Sequence, residues 1–211
     1  MSIYSYRTLE EPSEGFYKAK GSKFLAFAYP VHTESEIRER IDGMKKKYFD
    51  ARHHCYAWML GVDRKHFRAF DDGEPNHSAG DPILGQIRSK DLTNVLIVVV
   101  RYFGGVKLGV SGLITAYKTA AEDVLSNALI IEREIVEAID LTFDYLVTPE
   151  VMRWIKEFDI KILEQHFSEA CTMKISVPLL QKEEFLGKLN FLKATGKSIT
   201  WDSIKPDHLK I

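Results

Sequence analysis

Six consecutive aliphatic residues, Val95–Val100, are followed by a turn and then by a long helical pattern of apolar positions. A run without polar alternation predicts a strand that is buried on both faces. The helical pattern, residues 113–125, carries an apolar surface too wide for a helix that only rests on a core. We therefore expect this strand and helix to form the centre of one domain, and the glycine-rich turn between them to carry its function.

The chain before this run predicts a series of strands and helices. Thr33 and Glu36 form a capping box at the start of one helix, because apolar residues at helical spacing follow them. Residues 1–15 are polar and turn-rich, so we expect a mobile or edge-lying start. The predicted strands lie at residues 16–20, 23–31, 53–62 and 65–70, and a short helix is expected at residues 82–88.

The alternation of apolar and polar residues changes at Ala138, where a strand with one buried face is predicted. A helix, two strands, a second helix and a last strand follow, which gives the order βαββαβ of the ferredoxin-like arrangement. We therefore predict an α+β protein of two domains, residues 1–134 and residues 135–211. Residues 127–134 are interpreted as a charged passage that leads out of the first domain.

Composition narrows the functional classes. The chain has 211 residues, of which 45% are hydrophobic and 28% charged, as in a soluble globular protein. Its net charge of −1 gives no bulk attraction to nucleic acid or anionic lipid, so any such binding must be local. Cys55 and Cys171 are too few for a disulfide scaffold, and no apolar run has the length of a membrane span. We expect a soluble cytoplasmic protein.

The glycine-rich turn is the first candidate site. Backbone N–H groups at a helix start, beside Lys107, are a natural anion site. The sequence matches neither standard phosphate loop, since Val110-Ser111 stands where lysine and serine or threonine are needed, and no G-x-G-x-x-G is present. The glycines are equally explained by positive φ angles and close packing. The candidate residues of this turn are Arg101, Tyr102, Gly104, Gly105, Lys107 and Gly109.

An acidic loop, residues 71–82, is the second candidate. Its carboxylates could hold Mg²⁺ or act as general acid and base, although aspartate in such a loop is also ordinary turn chemistry. Turn chemistry is the favoured interpretation. Pairing of one carboxylate with Arg101, the charge at the exit of the buried strand, is at least as well supported. The candidate residues are Asp71, Asp72 and Glu74, with Asp81 and His77 near them.

Two further groups carry weaker signals. On a strand, His53 and Cys55 point to one face and His54 to the other, so the three cannot bind one metal ion. Cys55 is more typical of a buried residue than of a nucleophile. The basic cluster on the helix after Thr33 (Arg38, Arg40 and Lys45–Lys47) is interpreted as a solvated face rather than a phosphate-binding patch.

Several segments resemble the IMPACT family over residues 16–130, in the same order as in that family. They are Gly21-Ser22-Lys23-Phe24, Ala51-Arg52-His53-His54-Cys55-Tyr56-Ala57, Asp71-Asp72-Gly73-Glu74-Pro75, Ala79-Gly80 and residues 99–109, with Gly112-Leu113 and Tyr117. One departure is Asn76-His77-Ser78, which replaces a commoner serine- or alanine-glycine-threonine run, so His77 is not expected to inherit a family role.

The resemblance implies both a fold and a setting. It implies a first domain similar to the second domain of ribosomal protein S5, and a second domain similar to the last domain of translocation factors of the elongation-factor G type. Both folds occur on the translation machinery and on RNA. Eukaryotic relatives restrain activation of the kinase that phosphorylates an initiation factor. The resemblance therefore implies a role in translation, by analogy of fold.

Two hypotheses of function follow. In the first, the chain is a non-enzymatic module that docks on RNA, the ribosome or a translation factor, with His54 added to the candidate binding residues named above. In the second, it is an enzyme for a nucleotide or phosphorylated small molecule, in which Asp72 or Glu74 supplies a metal contact or base and Lys107 a phosphate contact. We expect the first, with no catalytic residue, no bound metal and no cofactor.

Overall fold

The computed structural model describes residues 4–204. The chain forms two compact units. The N-terminal unit is Tyr6–Arg133, and the described part of the C-terminal unit is the chain from Glu134 on, together with Tyr4 and Ser5. Within the described residues, no helix combines the length and apolar character needed to cross a membrane.

The N-terminal unit is built on a five-stranded antiparallel sheet in the order β2-β3-β6-β4-β5. The predicted buried strand is its centre, because β6 lies between β3 and β4 and Val95–Val100 all have 0% exposure. The elements are β1 (Ser5–Leu9), β2 (Ser13–Ala19), β3 (Ser22–Pro30), α1 (Glu34–Lys47), β4 (His53–Leu60), β5 (His66–Phe70), α2 (Gly80–Ser89), β6 (Val95–Tyr102), α3 (Gly109–Ser126) and β7 (Ile130–Glu134).

Helices cover both faces of this sheet. On one face, α2 and α3 pack on sheet residues such as Cys55 and Val99, and Tyr117 of α3 belongs to this core. On the other face, α1 packs on the alternate residues of the same strands, including Tyr56 and Val98. The two-residue period of the strands thus decides which side chain meets which helix. We call these the α3 face and the α1 face of the sheet.

The capping box at the start of α1 is confirmed in its first half. The Thr33 hydroxyl accepts a hydrogen bond from the Glu36 N–H at 3.2 Å. The Glu36 carboxylate reaches one residue further back and accepts from the His32 N–H at 2.8 Å. The Glu36 N–H lies in the first turn and has no backbone partner within the helix, and the His32 N–H lies just before the helix. Each is satisfied by one of these two side chains.

Two short strands depart from the sequence prediction. The start that was expected to be mobile or edge-lying contains β1, and the expected charged passage contains β7; they pair in a separate two-stranded sheet. Leu9, at the end of β1, is buried in the core of the N-terminal unit. Five-residue strands with few apolar positions give little periodicity, so the pattern did not indicate them.

The C-terminal unit has the predicted order βαββαβ. Its sheet has the order β11-β8-β10-β9, so the first strand in sequence lies between the third and the fourth. The whole chain is therefore an α+β protein. The elements are β8 (Val136–Phe143), a 3-10 turn (Tyr145–Val147), α4 (Thr148–Glu157), β9 (Lys161–Phe167), β10 (Cys171–Pro178), α5 (Lys182–Ala194) and β11 (Ile199–Ile204).

Candidate functional site

The acidic loop and the central strand meet through one carboxylate. Glu74 Oε1 accepts a hydrogen bond from Arg101 Nη1 at 2.5 Å and another from the Tyr117 hydroxyl at 2.7 Å. The side chains of Arg101 and Glu74 are only 7% and 4% exposed. The pairing of Arg101 with a carboxylate of the acidic loop, one of the interpretations left open by the sequence, is thus observed. The three residues join the loop, β6 and α3.

The buried network continues from Tyr117 to Cys55. The Cys55 thiol donates to the Asp71 carbonyl oxygen at 3.0 Å, and its sulfur lies 3.3 Å from the Tyr117 hydroxyl oxygen. Burial raises the pKa of the Cys55 thiol far above its ordinary value. Burial likewise raises the pKa of Tyr117, with the nearby Cys55 and Glu74 adding to the effect. Cys55 is therefore a protonated donor in the core and not a nucleophile.

Asp71 caps the start of α2 from outside the helix. One carboxylate oxygen accepts from the Ala79 and Gly80 N–H groups, both at 2.9 Å, and the other from the His77 N–H at 2.9 Å. Burial acts to raise the pKa of Asp71, but these three backbone donors outweigh it and hold the pKa below its usual value. The Asp71 carboxylate is therefore ionised and used by the loop itself.

Asp72 fixes the start of β4. Its carboxylate accepts from the His54 N–H at 2.6 Å, and its carbonyl oxygen lies 2.8 Å from His53 Nδ1. The His54 ring is buried on the α1 face, and burial lowers its pKa, partly offset by the charge of Asp72. His54 is therefore neutral at pH 7. It lies across the sheet from Arg101, which is on the α3 face, so these two predicted site residues do not share a surface.

Gly104 lies against the β2–β3 turn. Its N–H donates to the Ser22 hydroxyl at 3.1 Å, and a Cβ atom on Gly104 would lie 1.9 Å from the carbonyl carbon of Gly21. Gly105 and Gly109 have φ angles of 87° and 73°, in the region that favours glycine. All three glycines thus have a geometric role in the chain reversal.

The rest of the turn is open to solvent. Phe103, Val106 and Lys107 are exposed, and Phe103 is 55% accessible although its ring lies 5.8 Å from the Arg101 guanidinium carbon. Among residues 4–204, no carboxylate forms an ion pair with Lys107. Beyond its buried anchor at Arg101, the turn presents a lysine and apolar side chains.

Tyr102 points away from this anchor, toward the α1 face. Its hydroxyl donates to the Asp50 carboxylate at 2.7 Å. That hydrogen bond raises the pKa of Tyr102 to about 12. The predicted site residues therefore fall into three groups: the buried network with Arg101 and Glu74, the exposed turn with Lys107, and the α1 face with Tyr102 and His54.

The structure also identifies residues that the sequence analysis did not assign to the site. Tyr117 was named in the helical pattern and in the family resemblance but not among the site residues, yet it is the second donor to Glu74. A tyrosine on an otherwise apolar helix face was the available signal, because a buried hydroxyl requires a partner. In the part of the chain that the structure describes, no group of three or more His, Cys, Asp or Glu residues could hold a metal ion.

Comparison with known proteins adds independent information. A family model described as the Impact N-terminal domain matches residues 20–125. "IMPACT family member YvyE" of Bacillus subtilis (strain 168) is 34% identical over 167 residues, 79% of this chain and 77% of that protein. "Protein IMPACT homolog" of Saccharomyces cerevisiae is 34% identical over 111 residues, 50% of this chain and 42% of that protein. A solved structure described as that of a hypothetical protein has a TM-score of 0.73 at 25% identity, and the match covers 97% of this chain and 100% of that one.

Proposed function

The chain belongs to the IMPACT family, as its motifs predict, and from this premise we propose that it is a non-catalytic, translation-associated regulatory protein. In this proposal it docks on RNA, the ribosome or a translation factor in the cytoplasm. The docking surface is the exposed glycine turn of the N-terminal unit, with Gly105, Lys107 and Gly109 as contact residues. Arg101, Glu74 and Gly104 hold that surface in place, and Asp71 holds the acidic loop that carries Glu74.

Family membership supports the translation setting. The sequence resemblance implies this setting, because eukaryotic relatives in the family restrain activation of the kinase that phosphorylates an initiation factor. The resemblance of the first domain to a ribosomal protein domain and of the second to a domain of a translocation factor points the same way. These are analogies of family and fold, so the molecular role has to rest on the site itself.

The observation that carries the proposal is the contrast between the turn and its anchor. Arg101 is buried and paired with Glu74, whereas Lys107, six residues later, is exposed. Helix α3 begins at Gly109 with no acidic residue in its first turn, so no side chain there repels an anion near its N–H groups. A rigidly anchored, cationic and partly apolar turn is suited to binding a large anionic partner.

The enzymatic alternative is not favoured by the carboxylates. It requires Asp72 or Glu74 to hold a metal ion or to act as a base. Asp72 accepts from the His54 N–H, and Glu74 accepts from Arg101 and Tyr117. Glu74 is also buried, so it would have to leave both partners to meet a substrate. The arrangement supports a structural role for both.

Co-sedimentation with purified ribosomes tests the proposal. We expect binding that weakens as salt rises from about 50 to about 200 mM. Binding releases counterions from the nucleic acid, and this release contributes less to the affinity at higher salt. Lys107→Glu should weaken it further. Lys65→Glu is the matched control: Lys65 is also exposed but precedes β5, and the register of β4 places it at the opposite end of the sheet from Arg101.

Two results would contradict the proposal. Binding that is insensitive to both salt and Lys107→Glu would exclude an electrostatic dock at the turn. The proposed function as a whole would be refuted if the wild-type protein did not co-sediment with ribosomes and also did not bind ribosomal RNA, initiation factors or elongation factors in pull-down assays.

A further inference from the structure

A row of side chains crosses three strands at one end of the N-terminal sheet. Lys18 of β2 pairs directly with Lys23 of β3, and Lys23 pairs directly with Tyr102 of β6. Neighbouring strands lie about 4.8 Å apart, so the row spans about 10 Å. All three side chains are on the α1 face, since Phe27, four residues after Lys23 on β3, packs there against α1.

This part of the face is open. Lys18 and Lys23 are exposed, and Phe16, two residues before Lys18 and therefore on the same face, is 49% exposed. Helix α1 covers the sheet further along, where its buried residues Ile37, Ile41 and Met44 pack. We call Phe16, Lys18, Lys23 and Tyr102 the open sheet face; Tyr102 is its half-buried member and packs against the edge of the α1 core.

The charges on this face are not balanced. Like charges directly opposite each other on neighbouring strands destabilise a sheet, and Lys18 and Lys23 are such a pair. Within residues 4–204, neither lysine forms an ion pair. Acidic groups on the same face include Glu14, which pairs with Phe27 across β2 and β3, and Asp50, which already accepts from Tyr102.

From this arrangement we propose that the open sheet face binds single-stranded RNA. Lys18 and Lys23 would contact two backbone phosphates, and the rings of Tyr102 and Phe16 would stack on unpaired bases. The inference rests on the proposed function, and it names the class of ligand and a second surface, beside the glycine turn. The two surfaces adjoin because Gly104 of the turn packs on Gly21, between Lys18 and Lys23 in sequence.

Single-stranded rather than duplex RNA follows from the aromatic residues. Rings that stand on a sheet can stack only on bases that are not enclosed in a helix, which is a recurrent mode of single-strand recognition. Lysines supply the sequence-independent attraction to the backbone. An acidic peptide would satisfy the lysines but would leave the two rings without a planar partner.

The test measures binding of a fluorescein-labelled oligouridine of about 12 nucleotides to the full chain by fluorescence anisotropy. We expect saturable binding, and weaker binding of a duplex of the same length. Lys18→Gln combined with Lys23→Gln should reduce the magnitude of the salt slope by about 1.4, because each phosphate contact to a single strand contributes about 0.7. Lys65→Gln, at the other end of the sheet, should leave the slope unchanged.

Tyr102 is tested separately from charge. Tyr102→Leu should weaken oligouridine binding at least about fivefold by removing a stacking partner. Tyr102→Phe, which keeps the ring and loses the hydrogen bond to Asp50, should bind as the wild type does. Thermal unfolding of each variant identifies any that fail to fold; if Tyr102→Leu is one of them, Phe16→Leu, at a position that is 49% exposed, tests stacking in its place and should also weaken binding.

Three results would overturn the inference: a salt slope unchanged in the double lysine variant, a duplex bound as tightly as the single strand, or a polyglutamate peptide bound as tightly as oligouridine. Its failure is distinguishable from that of the proposed function. If oligouridine does not bind while ribosome co-sedimentation remains sensitive to Lys107→Glu, docking through the glycine turn stands and the open sheet face is excluded.

Discussion

Glu74 and Arg101 form a buried ion pair, with 2.5 Å between Oε1 and Nη1, that joins the acidic loop to the end of the central strand. The two residues are 27 positions apart in sequence and belong to the two segments that most resemble the family. Their pairing explains why these segments occur together: the acidic residue neutralises the arginine at the base of the glycine turn. The exposed turn therefore follows directly on a buried arginine whose charge is neutralised by Glu74.

Removal of the carboxylate charge should destabilise the protein strongly. Glu74→Ala leaves Arg101 buried without its partner, and breaking one side of a buried pair costs about 3–5 kcal/mol. The change in free energy of unfolding is measured by urea denaturation. Glu10→Ala is the matched control, since Glu10 pairs with Arg133 at a site where both side chains are 46% exposed and such pairs contribute about 1 kcal/mol or less. Equal losses in the two variants would contradict the assignment.

The Tyr117 hydroxyl should be energetically coupled to Glu74. Tyr117→Phe removes one donor to a buried carboxylate, which costs about 1.5–3 kcal/mol. In the double variant with Glu74→Gln, the effect of Tyr117→Phe should be smaller, with a coupling of about 0.5–3 kcal/mol. Urea unfolding of both single variants and the double variant measures it. Strict additivity of the two losses would show that the hydroxyl and the carboxylate do not interact.

The periodicity of apolar residues was sufficient to predict most of the helices and strands. The unbroken run Val95–Val100 predicted the central strand, and alternation from Ala138 predicted the start of the βαββαβ unit, because buried surfaces must match the repeat of each element. The same reasoning missed β1 and β7. Each has five residues, so neither is long enough to show a repeat.

For the candidate site, the sequence predicted only which side chains of a single strand share a face. Alternation along β4 placed His53 and Cys55 on one face and His54 on the other, which agrees with the burial of Cys55 in the core beneath α2 and α3. Which carboxylate meets Arg101 depends on how the acidic loop folds back over 27 residues, and no local repeat contains that information. The lysine row on β2 and β3 likewise needs the register between strands.

Acidic pH should lower the free energy of unfolding, because the Asp71 carboxylate becomes protonated. Its folded-state pKa is lowered, so the unfolded state binds a proton more readily in the acid range. The stabilising contribution is therefore complete above the unfolded pKa of about 4 and is lost as pH falls through the folded pKa. Urea midpoints measured between about pH 3 and pH 6 should rise with pH in the wild type and less steeply in Asp71→Asn. Asp42→Asn, at an exposed position on α1, is the control and should keep the wild-type slope. Parallel curves for all three proteins would refute the capping role.

Gly104 should not tolerate a side chain, whereas an exposed helical glycine should. A Cβ atom on Gly104 would overlap the backbone of Gly21 and Ser22, which cannot move without opening the β2–β3 turn. Gly104→Ala should therefore cost about 1–3 kcal/mol or more and weaken ribosome binding along with Lys107→Glu. Gly43, on α1, has no atom within 4 Å of its added Cβ, so Gly43→Ala should stabilise by up to about 1 kcal/mol through helix propensity. Thermal unfolding and co-sedimentation measure both variants. If Gly104→Ala is as stable as Gly43→Ala, the contact with Gly21 does not hold the turn, and the proposed docking surface loses its rigid support.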